Sequence, residues 1–166
     1  MGTIQKMASL FKDSLDELGA SIPSIEIEKL AIMIDKSMSP AIRSYHNTHH
    51  VFSLTDGSDP LLSLAALYHD VVYFQVDRGF SPEITALVTP YIQQKELDFH
   101  IVDTINPNDR MVILTLKIFG FEPGQKLIPS AGMNEFLSAI VLNKSLEEIL
   151  SDRDLVKITA CIEATI

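Results

Sequence analysis

A single cysteine, Cys161, stands among 166 residues, so no internal disulfide can form and a reducing, cytoplasmic setting is expected. No electropositive neighbour in the sequence would activate that thiol, and it reads as a small core residue. Long apolar runs are also missing. Nothing approaches the roughly 18–20 unbroken apolar residues of a transmembrane helix, and the opening MGTIQKMASLFKDSLDEL is broken by Lys6, Lys12 and Asp13, unlike a signal peptide. Positive charge is scarce, with 13 Lys and Arg against 22 Asp and Glu and a net charge of −9. That balance argues against duplex nucleic acid or an anionic membrane as the main partner. A phosphorylated small molecule stays open, because a bound cation would reverse the local field. Gly120, Gly124 and Gly132 form no phosphate-cradling pattern, and neither a nucleophile elbow nor a cysteine–histidine catalytic spacing occurs.

Apolar side chains make up 46% of the chain, enough for one domain spanning 1–166 with a substantial core. Ile4, Met7, Phe11, Leu15 and Leu18 recur at three- and four-residue steps, which predicts a first helix stopped at Gly19. A second helix is expected from Ile25 to about Ser37, and a third from Pro40, carrying AIRSYHNTHHVFSL. In DPLLSLAALYHDVVYF, Asp59 is an N-cap and Pro60 a first helical residue. Ser63 is the only polar side chain between Leu61 and Leu67, so this helix should be buried nearly all round. Ser81-Pro82-Glu83 repeats the cap–proline signal and opens a helix toward Tyr91. Asp109–Phe119, Asn134–Asn143 and the terminal DRDLVKITACIEATI complete an all-α bundle of about seven or eight helices. No repeat, low-complexity tract or linker interrupts it.

The chemistry concentrates in SYHNTHHVFSL, where three of the five histidines fall within five residues. On a helix His46 and His50 share a face one turn apart, whereas His49 points away. Alone, such a pair reads more readily as a solvated face or a hydrogen-bonded core pair than as a pair of ligands. His69-Asp70 shifts the balance. An isolated carboxylate at the end of an apolar helix is strongly disfavoured if buried, so Asp70 needs a cation, a set of donors or water. A divalent metal shared by His69, Asp70 and a histidine of the neighbouring helix would supply the cation, and mixed nitrogen and oxygen donors suit zinc, manganese, iron or magnesium-like ions. His100 and Glu83 carry no such signal and read as ordinary residues.

Arg43-Ser44-Tyr45-His46-Asn47, then His50, then Leu67-Tyr68-His69-Asp70-Val71-Val72-Tyr73 resemble the HD superfamily of metal-dependent phosphohydrolases, most nearly the small bacterial HD phosphohydrolases. The string Tyr45–His50 is also similar to the signature of cyclic-nucleotide phosphodiesterases, which share the superfamily. The likeness covers mainly residues 43–73 and implies an HD-like helical bundle. It implies that His50, His69 and Asp70 bind a divalent ion (zinc, manganese, iron, nickel or magnesium). It further implies that Asp70 orients the attacking water, that His46 protonates the leaving oxygen, and that Arg43 and Asn47 serve the substrate, a small phosphorylated molecule such as a nucleotide. In one respect the chain departs from the superfamily, which uses a further aspartate from a downstream helix. Asp103, Asp152 and Asp154 are the candidates in the chain, and the terminal apolar helix suggests a ligand beyond Ile166. Two rival expectations follow from that gap: an HD-fold binding or regulatory module without turnover, and a helical interaction domain, dimeric through its last helix.

Overall fold

The computed structural model describes residues 2–38, 48–55, 59–74 and 79–166, which hold eight α-helices and one two-stranded hairpin. Helix α1 (Thr3–Glu17) buries Met7, Phe11, Ser14 and Leu15 along one stripe. Its first turn is closed by the Gly2 N–H donating to Gln5 Oε1 at 3.0 Å. The expected stop is present: Gly19 takes φ +74°, and the Ala20 N–H reaches back to the Leu15 carbonyl. Helix α2 (Ser24–Met38) lays Ile27, Ala31, Ile34 and Met38 inward and packs on α1. Helix α3 (Thr48–Leu54) follows, with Val51 fully buried.

Helix α4 (Pro60–Tyr68) is the pivot of the bundle. Asp59 caps it by accepting from the Leu61 N–H at 2.8 Å, and every residue from Ser63 to Tyr68 is buried. An apolar helix without an amphipathic stripe has to be covered on all sides. Here α1, α3 and two later helices, α7 (Met133–Leu146) and α8 (Asp152–Glu163), cover it. Before those, α5 (Pro82–Val88) is capped by Ser81 as expected and runs into a 3-10 turn, Thr89–Tyr91. Helix α6 (Arg110–Phe119) ends at Gly120 and packs on α7 and α8.

The helical expectation is met, with one addition. Ile92–Lys95 (β1) and Asp98–Ile101 (β2) pair antiparallel, Ile92 opposite Ile101 and Lys95 opposite Asp98. Four-residue strands give little alternation to read, and the turn at Glu96-Leu97 lacks the Asn-Gly or Asp-Gly signature; Glu96 itself takes a positive φ of 58°. Tertiary contacts decide the matter. Phe99 joins Phe74 and Phe80 in an aromatic cluster with centroids 5.1–5.8 Å apart, and the Ile101 and Leu127 N–H groups donate to the Gln125 and Phe99 carbonyls. His100 Nδ1 lies 3.1 Å from the Gly124 carbonyl, a structural role.

Two polar features lock the bundle. Asn143 of α7 donates to Thr115 Oγ1 of α6 at 2.9 Å and to Thr159 Oγ1 of α8 at 3.1 Å, all three side chains being fully buried. Asp109, at the start of α6, is held by Lys144 Nζ at 2.8 Å and by the Tyr91 hydroxyl at 2.6 Å. Tyr68 is the opposite case. Its ring meets Phe11 edge-on, but its hydroxyl is buried without a hydrogen bond of ordinary geometry, and Ser145 eases that burial only in part.

These contrasts make two predictions. Asn143→Leu leaves the buried Thr159 hydroxyl without its Asn143 partner, while Thr115 keeps the Met111 carbonyl, and should cost about 1–3 kcal/mol, whereas Tyr68→Phe should leave stability unchanged or raise it by up to about 1 kcal/mol. Urea denaturation of both variants checks this, and a clear loss in Tyr68→Phe would show that the hydroxyl is satisfied. For Asp109, burial works to raise the pKa, but the Lys144 and Tyr91 contacts outweigh it and hold the group below its ordinary 3.8. Its contribution is therefore present above the unfolded pKa and lost as pH falls through the lower folded value. Stability measured between about pH 5 and pH 2 should fall less steeply in Asp109→Asn than in the parent chain.

Candidate metal centre

Helix α4 ends by delivering two polar side chains into a nearly closed environment. Tyr68 is its last helical residue, and the His69 N–H still donates to the Ala65 carbonyl, so the His69 ring projects as a continuation of the helix. The chain then leaves the helical path through Asp70, Val71 and Val72, all buried. A main chain that leaves a helix inside the protein must find new acceptors for its N–H groups. Helix α7 provides them: the Val72 N–H donates to Ser138 Oγ at 3.0 Å, and the Phe74 N–H to Asn134 Oδ1 at 3.1 Å.

His50, on α3, comes to the same place from the other side, its ring centroid 5.7 Å from that of His69. His50, His69 and Asp70 each offer one ligand atom, and the three atoms lie within 4.8 Å of one another. Two donors on one ion, at bonds of roughly 2.0–2.2 Å, stand at most about 4.4 Å apart. Small side-chain adjustments therefore separate this trio from coordination.

The orientation of His69 has a clear cause. Its Nδ1 lies 2.8 Å from the Ala66 carbonyl, which only accepts, so Nδ1 carries a proton and donates. That turns Nε2 toward Asp70, 2.8 Å from Oδ2. A histidine whose far nitrogen is fixed on a backbone carbonyl matches the usual arrangement of metal-binding imidazoles. Burial opposes charge on the ring, yet the Asp70 hydrogen bond and charge, the Ala66 carbonyl and the Glu135 carboxylate outweigh it and raise the His69 pKa. The site thus favours positive charge at Nε2, the nitrogen on the Asp70 side.

Three expected participants, Arg43, His46 and Asn47, lie outside the described residues, so the trio is the part of the predicted set that the fold brings together. The candidate aspartates do not join it. Asp103 pairs with Lys95 on the hairpin at 3.1 Å, Asp152 pairs with Arg110 at 3.0 Å, and Asp154 accepts from the Ser151 hydroxyl at 2.7 Å. Ser151, rather than either aspartate, caps α8, and both acids sit in its first turn. Sequence reasoning missed Asn134, Glu135 and Ser138. Their signal was there in the form of polar residues four apart, Asn134 and Ser138, in a helix otherwise buried nearly all round. Comparison with protein-family models, curated proteins and solved structures finds no match. Among the described residues no helix is long and apolar enough to cross a membrane.

Ser138→Ala should cost about 1–3 kcal/mol, because the Val72 N–H stays buried without its acceptor. Thermal unfolding checks it, and an unchanged melting temperature would mean that the tether contributes nothing.

Proposed function

We propose that the chain is a metal-dependent phosphohydrolase that uses His50, His69 and Asp70 to hold a divalent cation against a small phosphate ester. The observation that carries this reading is the meeting, within 4.8 Å, of donors from two separate helical elements at a buried turn. The donor set, two imidazoles and one carboxylate, fits ions of mixed nitrogen and oxygen preference, such as zinc, manganese or iron, with nickel and magnesium also admitted. When bound, such an ion lowers the pKa of water, orients the phosphoryl group and offsets its developing charge.

The chain's own residues have the remaining work. Asp70 is 9% exposed, so its charge acts at short range with little screening, which supports the role proposed for it of orienting water. His69 is held by the Ala66 carbonyl and needs no reorganisation. In the reaction the water oxygen bonds to phosphorus, the ester P–O bond breaks, and the proton released from water ends on the departing alcohol. His46 is the residue proposed to hand over that proton, a role typically worth about a hundred- to ten-thousand-fold. The small size of the donor set favours a second reading. Among the described residues only three donors gather, and an HD-like module that binds metal and nucleotide without turnover would need no more.

Elemental analysis of chelator-free protein should find about one or two divalent ions per chain, lost in His69→Ala and Asp70→Ala. His46→Ala should keep the metal and lose most phosphoesterase turnover; equal metal loss in that variant would make His46 a ligand instead. A metal-free protein whose melting temperature ignores both chelator and added ions would overturn the reading, since an ion bound only by the folded state must stabilise it. Bound metal without turnover of any ester would select the binding module.

A further inference from the structure

His69 does more than offer a nitrogen to the trio. It also forms one wall of a cavity of about 210 Å³, which Leu54, Leu62, Ala65 and Ala66 line on the α3–α4 side and Cys161 and Thr165 on the side of the terminal helix. The cavity is small. Pockets for whole drug-sized ligands begin at roughly 300 Å³, so this one suits a single ring or a short branched chain. Its chemistry is equally restrictive. Among the described lining residues His69 alone carries an ionisable nitrogen, and the Thr165 hydroxyl is already committed to the Ile162 carbonyl at 2.7 Å. No lysine, arginine, asparagine or glutamine among the described lining residues offers a hydrogen bond to a second phosphate or to a sugar. Leu54 and Leu62, about half exposed, form apolar edges at its rim.

Resting on the phosphohydrolase reading, we propose that this cavity receives the leaving alcohol, and that the substrate is a phosphate monoester of an apolar, ring-sized alcohol rather than a nucleotide. His69 belongs both to the trio that would carry the phosphate and to the wall of the cavity. The two halves of an amphiphilic ester thus find opposite environments on the two sides of one side chain. Against the described lining residues a ribose would lose hydration without gaining partners, which works against nucleoside monophosphates.

The only cysteine of the chain lies in the cavity wall and reports its occupancy without any need for turnover. Burial and the Asp59 carboxylate both push its thiol pKa up, so alkylation is slow and best followed at mildly alkaline pH. The experiment follows alkylation of Cys161 by iodoacetamide, read by mass spectrometry, on the full chain with Mn²⁺ whose binding is measured on the same sample. Phenylphosphonate, which cannot be hydrolysed, should slow alkylation about tenfold when Mn²⁺ is bound, and methylphosphonate and adenosine 5′-monophosphate should not. Leu62→Asp places a carboxylate at the rim in the first turn of α4, a position the helix tolerates. It should abolish the protection while leaving Mn²⁺ content and melting temperature unchanged. Bound Mn²⁺ with no protection would overturn the cavity assignment and leave the hydrolase reading standing. Equal protection by adenosine 5′-monophosphate, or protection indifferent to Mn²⁺, would overturn the proposed substrate class. A chain that binds no Mn²⁺ would remove the reading on which the proposal rests.

Discussion

A backbone that leaves a helix inside a protein carries N–H groups that water cannot reach, and the architecture around the His69-Asp70 turn answers that constraint. Ser138 and Asn134 accept from Val72 and Phe74, so the segment after α4 is tied to α7 by side-chain oxygens rather than by a strand or a helix. The cost of leaving such donors unmet is about 1–3 kcal/mol each, a large fraction of the roughly 5–15 kcal/mol that separates a folded domain from its unfolded chain. The tie fixes where α4 stops. While the Ala66 carbonyl orients the His69 ring, the tie keeps the turn that carries Asp70 buried. A surface turn would need none of this and would give no such electrostatic environment.

The same helix had to be covered before it could be useful. Leu64, Leu67 and Tyr68 have almost no exposed area, and the surrounding helices are themselves cross-linked through Asn143, Thr115 and Thr159. Buried polar clusters of this kind are worth little if half satisfied and act as locks when complete. Here the lock sits on α6, α7 and α8, and two of those helices, α7 and α8, flank α4. The candidate centre therefore rests on a rigid scaffold instead of a loop cluster.

What the sequence disclosed follows a physical division. Caps, prolines and three-to-four spacing are local, so α1, α2, α4, α5, α6 and α8 were readable within a few residues of their ends. His50, His69 and Asp70 were readable because imidazole density and a carboxylate on an apolar helix are conspicuous chemically. Phe99 and the hairpin were not, since four-residue strands carry almost no periodicity and their pairing depends on Phe74, Phe80 and the strand-like run near Gln125. Ser138 and Asn134 stayed hidden for a related reason: a serine in a helix has many possible duties, and only the fold shows which backbone it serves. Arg43, His46 and Asn47 belong to the resemblance, outside the described residues.

The ties between α7 and the turn join residues 66 and 60 positions apart in the chain. Contacts that distant require a long loop to close, at an entropic cost that grows slowly with its length. The donor trio is consequently not a local motif that a nascent chain could use to capture whichever ion it meets first. His69 and Asp70 are set against each other by local contacts, but His50 joins them only when α3 packs on α4. On the proposed metal reading, the choice among competing cations would fall to the assembled trio, with its own size and polarity, and not to an unfolded polypeptide.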